Sequence, residues 1–238
     1  MTYCISDIHG CYGEFMALLE KINFTSLDAL YVLGDVIDRG KESIKCLQHI
    51  IRASNVHLLM GNHEQMMFDA LTSNYEKDDS LMRYWLKYGG SETLPEFCKL
   101  PEEGQIAIMD YIANLPYTIQ VNVGGQNYIL VHAGLNVVDM PQMKKTNIAA
   151  VLQQQNLDDL LYIREKFLHN KALQKSITIF GHTPVSAIKL YNSTKVWRDK
   201  RFNDKIGIDG GCVYGHCLLA LRLDDMAEFV VNAKNGDN

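Results

Sequence analysis

The sequence has no pair of cysteines at CxxC spacing: its six cysteines, Cys4, Cys11, Cys46, Cys98, Cys212 and Cys217, are scattered. That excludes a zinc knuckle and a thioredoxin-like motif, and fits free, partly buried thiols in a reducing compartment. It has no surplus of positive charge either. With 23 Lys and Arg against 28 Asp and Glu, the net charge is -5 and the pI about 5.9, which argues against a protein that grips nucleic acid by its phosphates. Any anion must be held by local positive charge. No apolar run approaches the ~18 to 20 residues of a membrane span, and the opening MTYCISDIHG lacks the basic and apolar regions of a signal peptide. The expected location is the cytoplasm, with no membrane and no nucleic-acid partner. No repeat, low-complexity tract or Pro/Gly/Ser-rich linker divides the 238 residues, so one domain is expected over 1–238, with soft stretches at 72–80 and 233–238.

What is present is a rhythm. Short apolar, β-branched runs recur at 2–5, 29–33, 56–60, 128–131 and 177–180, each apolar enough for a strand buried on both faces. Stretches of helical spacing at 14–22 and 42–51 separate the first three, predicting a βαβαβ start with parallel strands. Later segments read as hairpins, at 118–123 with 127–131 and at 218–223 with 228–231. An antiparallel second half beside a parallel first half predicts two mixed sheets. Residues 62–115 read as mainly helical, and 151–169 as one further helix or pair.

Each of the five runs ends on a residue able to bind metal: Asp7 and His9, Asp35, Asn62 with His63, His132, and His182. Any one of these has a plainer reading; Asn62, for example, could N-cap a helix over 64–71. Five strands releasing such groups at the carboxyl edge of a sheet, where α/β proteins build their sites, outweigh that reading. Asp7 and His9, one residue apart on extended backbone, point to one side and can share an ion. Asp35 can bridge two cations, leaving Asn62, His132 and His182 for the second. Mixed oxygen and nitrogen donors without thiolate suit Mn(II), Fe or Zn. Two divalent ions against two carboxylates leave positive charge to attract hydroxide and phosphate, a known device for in-line attack at phosphorus.

The blocks Asp7-Ile8-His9-Gly10, Gly34-Asp35-Val36-Ile37-Asp38-Arg39-Gly40 and Gly61-Asn62-His63-Glu64, followed by His132-Ala133-Gly134 and Gly181-His182-Thr183-Pro184, resemble the signature of the phosphoprotein phosphatases, within the calcineurin-like metallophosphoesterases. Residues 61–71 and 179–185 are similar to the bacteriophage lambda-type protein phosphatases. The resemblance implies an α/β fold of two mixed sheets sandwiched between helices. It implies that Asp7, His9, Asp35, Asn62, His132 and His182 bind two metals, probed first with Mn(II), and that Arg39 and Arg164 clamp phosphate. It also implies that His63, held by Asp38, protonates the leaving oxygen while a hydroxide between the metals attacks phosphorus.

The expected substrate is phosphoserine or phosphothreonine in a protein or peptide, with phosphotyrosine and aryl phosphates also accommodated. The alternatives are a symmetrical bis(5'-nucleosyl)-tetraphosphatase, which would take a dinucleoside polyphosphate, and a catalytically silent phosphoprotein-binding scaffold. Ser6, Lys41 and Tyr162 stand where the family more often has glycine, proline and tryptophan. Pro184 stands where many other metallophosphoesterases carry a ligating histidine. For Arg164, a surface ion pair is the competing reading. Cys11 is read as a packed thiol, WRDKR at 197–201 as a solvated loop, and Asp209 as structural support.

Overall fold

The computed structural model describes residues 1–73, 79–138, 147–173, 175–188 and 194–234; the soft stretches expected at 72–80 and 233–238 lie largely outside them. The chain begins with β1 (Thr2–Ile5), α1 (Tyr12–Lys21), β2 (Ala29–Val32), α2 (Ser43–Arg52) and β3 (Val56–Leu58). β1 pairs parallel with β2, and β2 with β3, so this is the expected βαβαβ unit. Phe15, Leu18 and Leu19 of α1, and Ile44, Leu47 and Ile50 of α2, recur every three or four residues and are buried, the spacing of a single apolar face laid on a sheet.

Residues 62–115 are mostly helical as predicted: α3 (Asn62–Thr72), α4 (Ser80–Trp85), α5 (Ser91–Cys98) and α6 (Glu102–Ala113). Between α4 and α5 the chain makes a wide turn in which Gly89 has φ 122°. A Cβ there would press into the Arg39 side chain and backbone, so only glycine permits this approach. The Gly89 carbonyl accepts the Arg39 N–H at 3.1 Å.

The second half supplies the hairpin β4 (Thr118–Val123) and β5 (Gln126–Val131), the short helices α7 (Ile148–Gln153), α8 (Leu157–Tyr162) and α9 (Glu165–Leu168), then β6 (Ile177–Phe180), β7 (Trp197–Arg198), β8 (Lys205–Gly207), β9 (Cys217–Arg222) and β10 (Glu228–Asn232). Among the described residues two five-stranded sheets result, ordered β10-β9-β1-β2-β3 and β4-β5-β6-β8-β7. Both are mixed, as expected, but not by a parallel half and an antiparallel half. β9 pairs antiparallel with β1, so the last hairpin completes the first sheet. β5, β6 and β8 run parallel in the second.

Period-two alternation sorts the side chains into layers. On β1, Tyr3 and Ile5 face the helices of the first sheet, while Cys4 enters the core between the sheets with Leu33, Leu59, Leu130, Ile179, Leu219 and Leu221. On β5, Leu130 faces inward, while Ile129 and Val131 meet Leu160, Phe167 and Leu168 of α8 and α9 on the far side. The order is therefore helices, sheet, sheet, helices. Among the described residues no helix is long and apolar enough to cross a membrane.

The WRDKR segment departs from the solvated loop expected. Trp197 and Arg198 form the edge strand β7 against β8, Arg198 is paired with Glu228, and Asp199 is buried. Asp199 with Asp204 holds the ammonium of Lys205, at 3.0 and 2.7 Å. The Lys205 side chain is fully buried.

Candidate active site

Five parallel strands deliver their following residues to one edge. β1 leads to Asp7 and His9, β2 to Asp35, β3 to Asn62, β5 to His132, and β6 to His182. β8, unrecognised in the sequence because a lysine and a glycine occupy a three-residue strand, leads in the same way to buried Asp209. To leave a strand and point a side chain across its end, the backbone must turn sharply. Asp7, His9, Asp35, Asp38, Arg39 and His182 all adopt left-handed φ, between 44° and 74°. Such conformations are uncommon outside glycine and cost free energy that surrounding contacts must offset. The loops are locked to one another: Asp7 N–H donates to Gly34 O, His9 N–H to Asp35 O at 2.9 Å, and Gly10 N–H to Val36 O at 2.8 Å. Gly181 packs so closely on Ser6 and Asp7 that a Cβ would overlap both side chains.

Two groups of ligand atoms share Asp35. Each lies within 4.8 Å of its fellows: His9, Asp35 and His63 in one, Asp35, His132 and His182 in the other. Asp35 Oδ2 is 3.5 Å from His9 Nε2, and Oδ1 is 3.5 Å from His132 Nε2. The Asn62 carboxamide oxygen is 2.9 Å from His132 Nε2, and His182 Nδ1 is 3.2 Å from the same nitrogen. Asp7 stands outside both groups, its carboxylate accepting the His182 N–H at 2.9 and 3.2 Å and the Ser6 hydroxyl. Ser6, the departure noted in the first block, thus positions the aspartate that follows it.

The donor set fits a pair of divalent cations. His9 Nδ1 donates to Ile37 O at 2.8 Å and His132 Nδ1 to Leu33 O at 2.7 Å, fixing the tautomers that leave both Nε2 atoms bare and aimed at Asp35. Burial, then the neighbouring His63 and Arg39 charges, hold His9 well below the ordinary imidazole range, and burial also lowers His132 and His182. Each shift favours the neutral ring, the state that ligates. Asp35 is pushed well above the usual carboxylate range by burial and by the Asp7 and Glu64 charges. Buried anions crowded against neutral imidazoles are the arrangement that a cation stabilises.

Beside this pair lies a hydrogen-bonded dyad. His63 Nδ1 is 2.7 Å from Asp38 Oδ2, and the ring stands edge-on to His9 at 4.7 Å between centroids. Burial, then Arg39, lowers His63, while burial raises Asp38 to about 7 against opposing donors from Thr93 and Trp85. Arg39 Nη1 donates to His9 Nε2 at 2.5 Å, with its guanidinium 5.5 Å from the centre of the Tyr214 ring. Arg164, the N-cap residue of α9, reaches the site: its Nη1 donates to Thr183 Oγ1 at 3.4 Å. Arg39, His63, Asn62, Arg164 and His182 line one cavity of about 210 Å³ with Met66, Tyr84, Tyr88 and Tyr162.

Three supporting residues escaped the sequence reading. Glu64 is fully buried and accepts backbone N–H groups from Gly61, Asp35, Val36 and Ile37 at 2.8 to 3.4 Å. It therefore ties the second block to the third, and its position three residues after the cap was the available signal. The cap itself is Gly61, not Asn62. Asn62 is the first helical residue, which frees its side chain for His132. Trp85 and Thr93 both donate to the Asp38 carboxylate; nothing local in the sequence marked either.

Comparison with known proteins agrees with this geometry. A family model described as calcineurin-like phosphoesterase matches residues 2–217. The chain is 28% identical over 228 residues to serine/threonine-protein phosphatase 1 of Salmonella typhimurium strain LT2, covering 93% of this chain and 91% of that protein. It is 27% identical over 274 residues to a symmetrical bis(5'-nucleosyl)-tetraphosphatase of Acidovorax sp. strain JS42, covering 92% and 91%. A crystal structure provisionally described as a diadenosine tetraphosphatase superposes with a TM-score of 0.68 at 20% identity, covering 99% of this chain and 94% of that one. The last is a likeness of fold.

Proposed function

The chain belongs to the calcineurin-like phosphoesterase family and is a metal-dependent phosphoester hydrolase, and from that premise we propose that it removes phosphate from phosphoserine and phosphothreonine in proteins. The observation that carries this reading is the single cavity of about 210 Å³ in which His63, Arg39 and Arg164 converge. It lies below the ~300 Å³ at which pockets for whole small molecules begin, so it suits a phosphoryl group on a side chain that enters from outside. The similarity to a serine/threonine-protein phosphatase supports the same reading.

In this proposal Asp7, His9, Asp35, Asn62, His132 and His182 would hold two divalent cations, Asp35 belonging to both groups of donor atoms. When bound, such a pair supplies a nucleophilic water at neutral pH and screens the charge that builds on the phosphoryl group. Mn(II) is the first ion to test, then Fe and Zn. Arg39 and Arg164 hold the nonbridging oxygens, since a guanidinium offers forked donors to a tetrahedral oxyanion. As the bond from the attacking oxygen to phosphorus forms, the bond to the leaving oxygen breaks. His63 Nε2 delivers a proton to that oxygen, while Asp38 on Nδ1 keeps the ring oriented and stabilises its protonated form. The products are inorganic phosphate and a free hydroxyl.

The similarity to a symmetrical tetraphosphatase supports one competing substrate, a dinucleoside tetraphosphate. Turnover of phosphopeptides and of diadenosine tetraphosphate, compared at equal Mn(II), tests the choice. Higher kcat/KM on the phosphopeptide is expected, and faster cleavage of the dinucleotide would overturn it.

A further inference from the structure

Away from the reacting centre, two sulfurs from opposite ends of the chain meet. Cys11 is the N-cap residue of α1 and makes no side-chain capping bond, so its sulfur is not committed to the helix end. Glu14 lies in the first turn of the same helix, at the position from which a side chain reaches back over the cap. Cys212 opens the single 3-10 turn Cys212–Tyr214 that leads into β9. Because β9 runs antiparallel to β1, the residues before β9 arrive at the edge where β1 gives way to α1. Gly10 and Gly211, with φ of 66° and 68°, make the left-handed turns just ahead of the two cysteines. The Cys11 and Cys212 sulfurs and a Glu14 carboxylate oxygen all lie within 4.8 Å of one another. Cys212 is buried and Cys11 partly buried.

We infer that Cys11, Glu14 and Cys212 form a third metal site, chemically distinct from the oxygen and nitrogen donors around Asp35, and that it takes a thiophilic divalent cation, zinc. Zinc bonds of about 2.3 Å to sulfur and about 2.0 to 2.2 Å to oxygen set tetrahedral donors roughly 3.5 to 3.8 Å apart. A small inward movement of the side chains closes the observed spacing to that. Two thiolates select zinc over manganese or magnesium, which prefer oxygen. On binding, each thiol gives its proton to solvent and each sulfur forms a bond to the ion; no electron is transferred. Two thiolates and a carboxylate around a dication leave one net negative charge, and solvent takes the fourth position. The Cys11 thiol donates to the His9 carbonyl at 3.8 Å, a weak contact that costs little to give up. Glu14 Oε1 accepts the Lys234 N–H at 2.8 Å; a carboxylate has several acceptor positions, so this bond and an ion coexist. Packing explains a buried thiol, but it gives no reason for a carboxylate held against two of them, which a shared cation does. The site fastens α1 to the turn before β9 and, through Glu14, to the chain beyond β10. It stands whichever phosphoester the hydrolase cleaves.

Cadmium(II) reads this site selectively, because sulfur-to-cadmium charge transfer absorbs in the ultraviolet and none of the six ligands proposed around Asp35 carries sulfur. Full-length protein, stripped of metal and kept reduced by a phosphine, is titrated with cadmium and then with zinc in competition. The wild type is expected to develop the band to saturation, and zinc to abolish it. Cys11→Ser and Cys212→Ser should each lower the band by about half or more and weaken zinc binding more than about tenfold. Glu14→Gln should weaken zinc binding while leaving the band in place. Cys98→Ser, at an exposed cysteine outside the cluster, should match the wild type. Absence of the band in the wild type, or a band unchanged by Cys11→Ser and Cys212→Ser, overturns the site. Should Cys212→Ser fail to fold, Cys11→Ser and Glu14→Gln decide by themselves, and an unaltered zinc affinity in both overturns it.

Discussion

The indole nitrogen of Trp85 donates to both carboxylate oxygens of Asp38, at 3.1 and 2.9 Å, across 47 residues of chain. The helical segment beyond α3 thereby reaches back to hold the carboxylate that orients His63. Trp85→Phe keeps an aromatic ring in the core but removes the donor, leaving Thr93 and the His63 ring as side-chain partners of the carboxylate. One lost hydrogen bond to a charged group should lower kcat on a phosphoseryl peptide roughly tenfold, with KM nearly unchanged, in steady-state kinetics.

His63→Asn removes the proposed proton donor while leaving the six proposed metal ligands, Asp7, His9, Asp35, Asn62, His132 and His182, unchanged. For a serine leaving group, whose alkoxide is a poor departing species, kcat should fall about 10² to 10⁴-fold. For p-nitrophenyl phosphate, whose phenolate leaves without help, the fall should be much smaller. Equal losses on both substrates would show that His63 does something other than protonate the leaving oxygen.

Adding Mn(II) should relieve the crowding of buried Asp7 and Asp35 and so stabilise the fold. At free metal about a hundredfold above Kd, linkage gives ~2.7 kcal/mol, or a rise in Tm of roughly 5 to 10 °C for a chain of this size. Differential scanning calorimetry after chelation and after readdition measures it. Asp35→Asn should abolish most of the rise, and chelation should abolish turnover.

Lys205 offers a contrast away from this chemistry. Its fully buried ammonium lies between Asp199 and Asp204 and 5.0 Å from the centre of the Phe202 ring. Lys205→Ala strands two carboxylates and should cost about 3 to 5 kcal/mol of unfolding free energy, read from urea denaturation. Turnover per folded molecule should stay near the wild-type value.

The ligand-bearing blocks were legible because each follows a short, largely apolar strand within a few residues, so adjacency in sequence carries adjacency in space. Asp35, His132 and His182 needed no knowledge of side-chain packing, only of which edge of a sheet they would leave. What was hidden depended on contacts between distant segments. Glu64 reads as an ordinary helix-start acid until Asp35, Val36 and Ile37 present their amides to it. Thr93 lies 55 residues from the Asp38 carboxylate to which it donates. β8 was invisible because its lysine is buried by ion pairing instead of by hydrophobicity. The final hairpin could be recognised as a hairpin, but nothing within it says which sheet it joins.

That choice of sheet has a consequence for how the protein is made. β1, the strand that carries Asp7 and His9 to the site, is flanked on one side by β2 and on the other by β9, with Tyr3 opposite Arg222. During synthesis β1 lacks one neighbour until Cys217–Arg222 has followed it out. An emerging chain can form the βαβαβ unit beforehand, but its open edge stays unsatisfied until β9 has been made. Hydrolytic competence thus waits on a strand made long after the site's first ligands.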